Sequence, residues 1–315
     1  MSKKTFCLIW SLILSVLFCV PSFAASNVTV SAKSALLLEC SSGSVLFEKN
    51  ADERRPVASV NKVMTILLTL EAIDDGRVTV NDRVTVSPRA ASMGGSQAFL
   101  DAGERYPLGE LLKTVIVASA NDSAVAIAEH LAGAEEAFVK LMNARADELG
   151  LQNTHYVNCT GLPAPDHYTT ARDVAKLSAQ LDLHPLYYRY STIWMDEIRH
   201  RGGRVTALTN TNRLVRFYPG CDGYKTGSTN EARYCISATA KKDGMRLIAV
   251  VLGTPAGQTR FDEARAMLDY GFANYKRVTV LTKGDRLGQR VPVRLGMANE
   301  VEAAVGTGMS MLLKP

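Results

Sequence analysis

The tetrad Ser59-Val60-Asn61-Lys62 pairs a hydroxyl with an amine three residues apart. A serine hydroxyl is a poor nucleophile until a base takes its proton. Lysine can be that base only if its amine is neutral near pH 7. Burial and a second nearby cation both lower its pKa, because each disfavours the charged form. On a helix, a spacing of three puts both side chains on one face, one turn apart. The helix N-terminus adds backbone N–H groups that can face an oxyanion. Alone the match carries little weight, since about one S-x-x-K is expected by chance in a chain of this length. For the motif alone, a helix cap followed by a surface lysine is the favoured reading.

Two further clusters change the odds. Ser119-Ala120-Asn121 falls between two predicted helices, on a loop that can point into a cleft. Its serine can relay a proton to a leaving amine and its asparagine can hold a substrate amide. The plainer alternative is that Ser119 ends one helix while Asn121 and Asp122 begin the next. Lys225-Thr226-Gly227 opens the β-like part of the chain. If it lies on an edge strand, an extended substrate can pair with its backbone. Lys225 then supplies positive charge for an anionic group, Thr226 a hydroxyl, and Gly227 room for close approach. Here the plainer alternative is a hairpin turn that ends in glycine.

The three clusters occur in this order, on a helix start, a loop and a strand. That trio, with S-D-N in the middle place, marks β-lactamases and penicillin-binding proteins. The chain resembles that superfamily, and within it the low-molecular-mass, S11-like serine D-alanyl-D-alanine carboxypeptidases. The wider contexts agree: Pro56-Val57-Ala58-Ser59-Val60-Asn61-Lys62-Val63-Met64-Thr65, Ser119-Ala120-Asn121-Asp122, Asn158-Cys159-Thr160-Gly161-Leu162-Pro163 and Asp222-Gly223-Tyr224-Lys225-Thr226-Gly227. The likeness runs over about residues 30 to 277.

The resemblance implies roles. Ser59 is the acylated nucleophile and Lys62 its base. Ser119 and Asn121 are the proton relay and the amide clamp. Lys225 and Thr226 hold the terminal carboxylate of the substrate, with Gly227 beside them. The backbone N–H groups of Ser59 and Ser228 form the oxyanion hole. Arg260 resembles a family arginine near the carboxylate, and reads equally as a surface arginine at a helix start. The substrate implied is a peptidoglycan stem peptide ending in D-Ala-D-Ala, with β-lactams as covalent inhibitors and no metal or organic cofactor. Ala120 departs from the usual glycine of the middle motif. The family continues into a β-rich second domain and often a C-terminal amphipathic membrane helix. This sequence stops at Pro315 within the expected second domain, so no membrane anchor is expected from the residues given.

Two rivals remain open at this point. A β-lactamase needs a deacylation glutamate in E-x-x-L-N. Glu148 and Leu151 begin such a match, but Gln152 replaces the asparagine. A catalytically weak cell-wall-binding protein is the other.

Positioning these residues needs a scaffold. Ala35 to Leu38 and Val45 to Phe47, joined through Ser41-Ser42-Gly43, predict a hairpin. Ser59 to Ile73 predicts a helix closed by Gly76. Leu108–Val117, Asp122–Leu131 (with Asp122 as its N-cap), Glu135–Leu149 and Ala171–Leu181 predict four more helices. Ala232–Ala240 and Leu247–Leu252 predict strands, and Thr259–Tyr275 a final amphipathic helix. The expected fold is α+β: an antiparallel sheet flanked by helices with an inserted all-helical lobe. The expected domains are a signal peptide at 1–24, a catalytic domain at 25–277 and the start of a β-rich domain at 278–315.

Composition agrees with an exported globular enzyme. Lys3 and Lys4 precede an apolar stretch from Cys7 to Val20, then Pro21 and Ser22-Phe23-Ala24, a secretory signal expected to be cut after Ala24. The stretch is too short for a comfortable membrane span, and bulky Phe18 argues against lipidation of Cys19. An extracytoplasmic location in the cell envelope follows. The net charge of +5 without a later basic run gives nucleic-acid binding little support. Cys40, Cys159, Cys221 and Cys235 show no C-x-x-C spacing, which argues against a zinc or redox site. Export permits a disulfide, and small buried hydrophobes are the other reading.

Overall fold

The structure is a computed structural model that describes residues 28–314. The signal segment expected at 1–24 lies outside the described residues. The centre of the fold is a five-stranded antiparallel sheet in the order β2-β1-β9-β8-β7. Its strands are β1 (Ser34–Glu39), β2 (Val45–Lys49), β7 (Cys221–Thr229), β8 (Arg233–Lys242) and β9 (Met245–Thr254). Between β2 and β7 lie two short antiparallel pairs: β3 (Arg83–Thr85) with β4 (Arg105–Pro107), and β5 (Met195–Arg199) with β6 (Val205–Thr209).

Because side chains alternate across a strand, each central strand serves two cores. Leu36, Leu38, Ile248, Val250 and Leu252 join the core under the helical lobe. Ala35, Leu37, Leu247, Ala249 and Val251 join a second core on the opposite face. This explains why these strands read as continuous apolar runs rather than alternating ones. Labelling only the longer helices, α1 is Lys62–Asp74, α2 Leu108–Val117, α3 Asn121–Ala132, α4 Glu135–Glu148, α5 Ala171–Gln180, α6 Pro185–Ser191 and α7 Thr259–Asn274. Helix α5 covers the first face with Ala171, Val174, Ala175 and Leu177. Helix α7 covers the second with Phe261, Ala264, Met267 and Leu268.

The hairpin, the helices and the strand pair β8–β9 form close to their expected bounds. The turn between β8 and β9 holds Asp243 and Gly244 at positive φ, 48° and 77°. That is the backbone a two-residue hairpin requires if its twist is to match the strands. Two expectations need correction. Ser59 is not on the α-helix: Ala58–Asn61 forms a 3-10 turn and the α-helix begins at Lys62. Asp122 does not cap α3 but lies in its first turn, and Ala120 occupies the cap position without a side-chain bond. The inserted lobe is largely helical and also carries the β3–β4 pair. After α7, strands β10 (Lys276–Leu281) and β13 (Met309–Leu313) pair with each other, as do β11 (Arg286–Pro292) and β12 (Glu300–Ala304). Among the described residues no helix is long and apolar enough to cross a membrane.

Leu37 has no exposed surface and packs in the sheet–α7 core. Leu37→Ala is expected to lower stability by about 2–5 kcal/mol, the range for a leucine cavity in a core that relaxes only in part. Urea unfolding followed by circular dichroism measures it.

Candidate active site

The site forms where the 3-10 turn meets the edge strand β7. In a 3-10 turn residues three apart eclipse one another, so Ser59 and Lys62 face each other more directly than on an α-helix. Lys62 Nζ lies 2.9 Å from Ser59 Oγ. The same nitrogen donates to the Thr160 carbonyl at 2.7 Å. Lys62 has no exposed surface. Burial is the main cause that pulls its pKa from 10.5 to about 7, against smaller upward pulls from Cys159 and Asp122. A neutral amine has two N–H groups and one lone pair. One N–H satisfies Thr160, which leaves the lone pair free to take the Ser59 proton.

The Thr160 carbonyl is aimed by a densely bonded loop. Asn158 Oδ1 accepts from Thr160 N at 3.1 Å, Thr160 Oγ1 at 3.0 Å and Gly161 N at 2.7 Å. Asn158 Nδ2 donates to the Leu162 carbonyl at 2.9 Å. Helix α1 holds the loop from below through Thr65 Oγ1, which donates to the Cys159 carbonyl at 2.7 Å. Asn61 Nδ2 donates to the Asn158 carbonyl at 3.2 Å. Glu135, buried at the start of α4, accepts from Cys159 N at 3.2 Å. Gly161 has φ +81°, and a Cβ there would stand 2.0 Å from the Ala58 carbonyl oxygen. In the sequence Thr160 stands only as part of the Asn158–Pro163 context, with no role of its own. Its signal was the Asn-x-Thr-Gly pattern, a side chain able to bond its own backbone two and three residues on.

Gly227 on β7 lies so close to the turn that a Cβ would stand 2.5 Å from Val57 O, 2.8 Å from Ser59 N and 2.8 Å from Val60 N. Lys225 is buried on the same strand, and its Nζ donates to the Thr226 carbonyl at 3.0 Å. Burial first, then the charges of Lys62 and Arg260, push its pKa well below the ordinary ammonium range. Thr226 is buried and Ser228 is exposed on the outer edge. Arg260, in the first turn of α7, is not a free surface group: it is partly buried, and Nη1 donates to the Gly227 carbonyl at 3.0 Å.

Ser119 and Asn121 flank the start of α3. Ser119 is buried with φ +65°, a conformation that costs a non-glycine residue on the order of 1–3 kcal/mol. Its Oγ has no partner, and neither does Asn121 Oδ1. Asn121 Nδ2 donates to the Gly94 carbonyl at 2.7 Å. Asp122 accepts from Ala98 N at 3.0 Å and Leu100 N at 3.1 Å. It thereby pins the 94–100 loop beside the motif while its charge reaches Lys62. So direct contacts join Ser59 to Lys62, Gly227 to the 3-10 turn and Arg260 to Gly227, while Asp122 acts on Lys62, and Lys62 and Arg260 on Lys225, through charge.

The S11 family profile, described as D-alanyl-D-alanine carboxypeptidase, matches residues 21–256. The chain belongs to this family. It is 43% identical over 289 residues to the D-alanyl-D-alanine carboxypeptidase DacF of Bacillus subtilis, covering 92% of this chain and 74% of that protein. Identity to DacC of Escherichia coli is 35% over 308 residues, covering 94% of this chain and 76% of that protein. Penicillin binding protein 5 from Haemophilus influenzae superposes with a TM-score of 0.82 at 30% identity, over 92% of this chain and 84% of that one. Against that background Glu148, the partial match to a β-lactamase glutamate, is an exposed residue paired with Arg145 at 2.8 Å. Among the described residues Cys40, Cys159, Cys221 and Cys235 are free thiols, the last three buried. Among the described residues no group of three His, Cys, Asp or Glu side chains is placed to hold a metal ion.

Gly227→Ala is expected to destabilise the protein by about 1–3 kcal/mol, because the added methyl meets backbone that has no rotamer to change. An unchanged urea midpoint for this variant would contradict the close abutment of β7 and the turn.

Proposed function

We propose that this protein is a serine D-alanyl-D-alanine carboxypeptidase that works through an acyl-enzyme on Ser59. One observation carries the reading: a fully buried Lys62 amine, 2.9 Å from Ser59 Oγ, with its pKa drawn down to about 7. Family membership supports the reaction class, a hydrolase acting on peptides that end in D-Ala-D-Ala.

The peptide lies extended along the open edge of β7, where backbone pairing holds it. Lys225, Thr226 and Arg260 face its terminal carboxylate. Ser59 Oγ attacks the penultimate carbonyl as its proton passes to Lys62. The tetrahedral oxyanion sits against the N–H groups of Ser59 and Ser228. Ser119, whose hydroxyl is otherwise unpartnered, passes its proton to the departing D-alanine amine and takes the one held on Lys62, which returns to the neutral amine. Asn121 orients the donor peptide. Water then cleaves the ester and frees Ser59. A β-lactam mimics the same amide and remains attached as an ester, so the enzyme is penicillin-sensitive. Its substrate is peptidoglycan, which places its work outside the cytoplasm.

Benzylpenicillin is expected to add one acyl group, located by peptide mass on the fragment that contains Ser59. Ser59→Ala should abolish the adduct, and a Ser59→Ala protein that still labels overturns the nucleophile assignment. The acylation rate is also expected to depend on pH with a set sign. Below about pH 7 Lys62 is an ammonium and cannot accept a proton, so the rate falls. It rises through about pH 7 and levels off above, as stopped-flow acylation over that range would record. A flat profile would remove Lys62 as the base.

A further inference from the structure

Arg260 belongs to two places at once. Nη1 bonds the carbonyl of Gly227 on the catalytic strand, while the same side chain lines a cleft of about 810 Å³ beside it. Trp194, Asn210, Arg213, Phe217 and Gln258 form other parts of the wall. Three features mark the cleft as built for an anion. First, its lining among the described residues includes no carboxylate. Second, Arg213 and Arg260 both line it, and burial first, with the Arg213 charge as a smaller cause, lowers the Arg260 pKa. Exposed Arg213 has no ion-pair partner among the described residues, and Nε of Arg260 is buried without a partner. Third, Arg216 stands over the rings of Trp194 and Phe217, at 5.7 Å and 5.8 Å, and adds a third positive charge beside the opening. Cations that repel each other around an open space are relieved by a negative ligand. The aromatic walls would pack its methylene stem.

We propose that this cleft is a leaving-group subsite, which admits C-terminal residues larger than alanine and favours those with a second carboxylate. The inference rests on the reading that Lys225, Thr226 and Arg260 hold the terminal carboxylate. On that reading the residue released by hydrolysis lies on the Arg260 side of the scissile bond, next to the cleft. The terminal carboxylate of that residue uses the inner face of Arg260, and its side-chain carboxylate reaches Arg213. The covalent steps are unchanged. The amide bond breaks, the ester forms on Ser59, the released amino acid leaves with the relayed proton, and water regenerates the hydroxyl.

Two synthetic peptides that differ only in the last residue, D-alanine or D-glutamate, test this with the full chain and its Arg213→Ala and Arg213→Lys variants. Release of the final amino acid is followed by chromatography. The wild-type kcat/KM for the D-glutamate peptide is expected within about tenfold of that for D-alanine. Arg213→Ala should lower the D-glutamate value about fivefold through KM, the size of one partly exposed charge pair, and leave D-alanine unchanged. Arg213→Lys should restore part of the loss. Refusal of the D-glutamate peptide by the wild type, or equal loss on both peptides in Arg213→Ala, overturns the subsite while the carboxypeptidase reading stands. Failure to cleave even the D-alanine peptide overturns both.

Discussion

The molecule turns on keeping one amine dry. An ammonium moved out of water without an anionic partner is costly enough that the group gives up its proton instead. Lys62 meets that condition. It has no exposed surface, and its direct bonding partners are a neutral carbonyl and a hydroxyl. The Thr160 carbonyl is therefore as important as the lysine itself. It satisfies one N–H without stabilising a full positive charge as a carboxylate would. The network beneath it, through Asn158, Thr65, Asn61 and Glu135, fixes a single acceptor in space. A loop at 158–161 thus controls the reactivity of a serine about a hundred residues earlier.

The same constraint explains the two-part architecture. The turn that carries Ser59 is packed between the helical lobe, which supplies the loop and the start of α3, and the sheet, which supplies β7. Neither half encloses the crevice alone. The sheet is rigid because both its faces are buried, by α5 on one side and α7 on the other. Helix α7 adds Arg260, whose bond to the Gly227 carbonyl ties the far helix to the catalytic edge. Lys225 stands in the same neighbourhood, and burial first, then the charges of Lys62 and Arg260, lower its pKa.

Much of this was legible in the residues. The apolar runs of β1, β8 and β9 could be read because both faces of those strands are buried. The three chemical clusters could be read because each is short, local and rich in polar groups that a plain helix or turn does not need. Other features escaped for stated reasons. The 3-10 turn was read as the first turn of α1, since both conformations satisfy a spacing of three. Asp122 looked like a cap because its position is right for one, yet its bonds run to Ala98 and Leu100, an arrangement set by tertiary contact alone. Helix α6 and strand β5 lack a clear apolar period and passed unnoticed. Thr160 escaped because its contribution is a backbone carbonyl, which every residue possesses.

Gly227 has an implication for drug escape. The α-hydrogen of Gly227 that a side chain would replace points at three atoms of the enzyme's own main chain, so this point of the strand cannot gain bulk without pushing Ser59 out of line. Any change there that shut out an antibiotic would disarm the enzyme as well. Resistance by reshaping has to come from elsewhere around the crevice, where a side chain can be exchanged without moving the nucleophile.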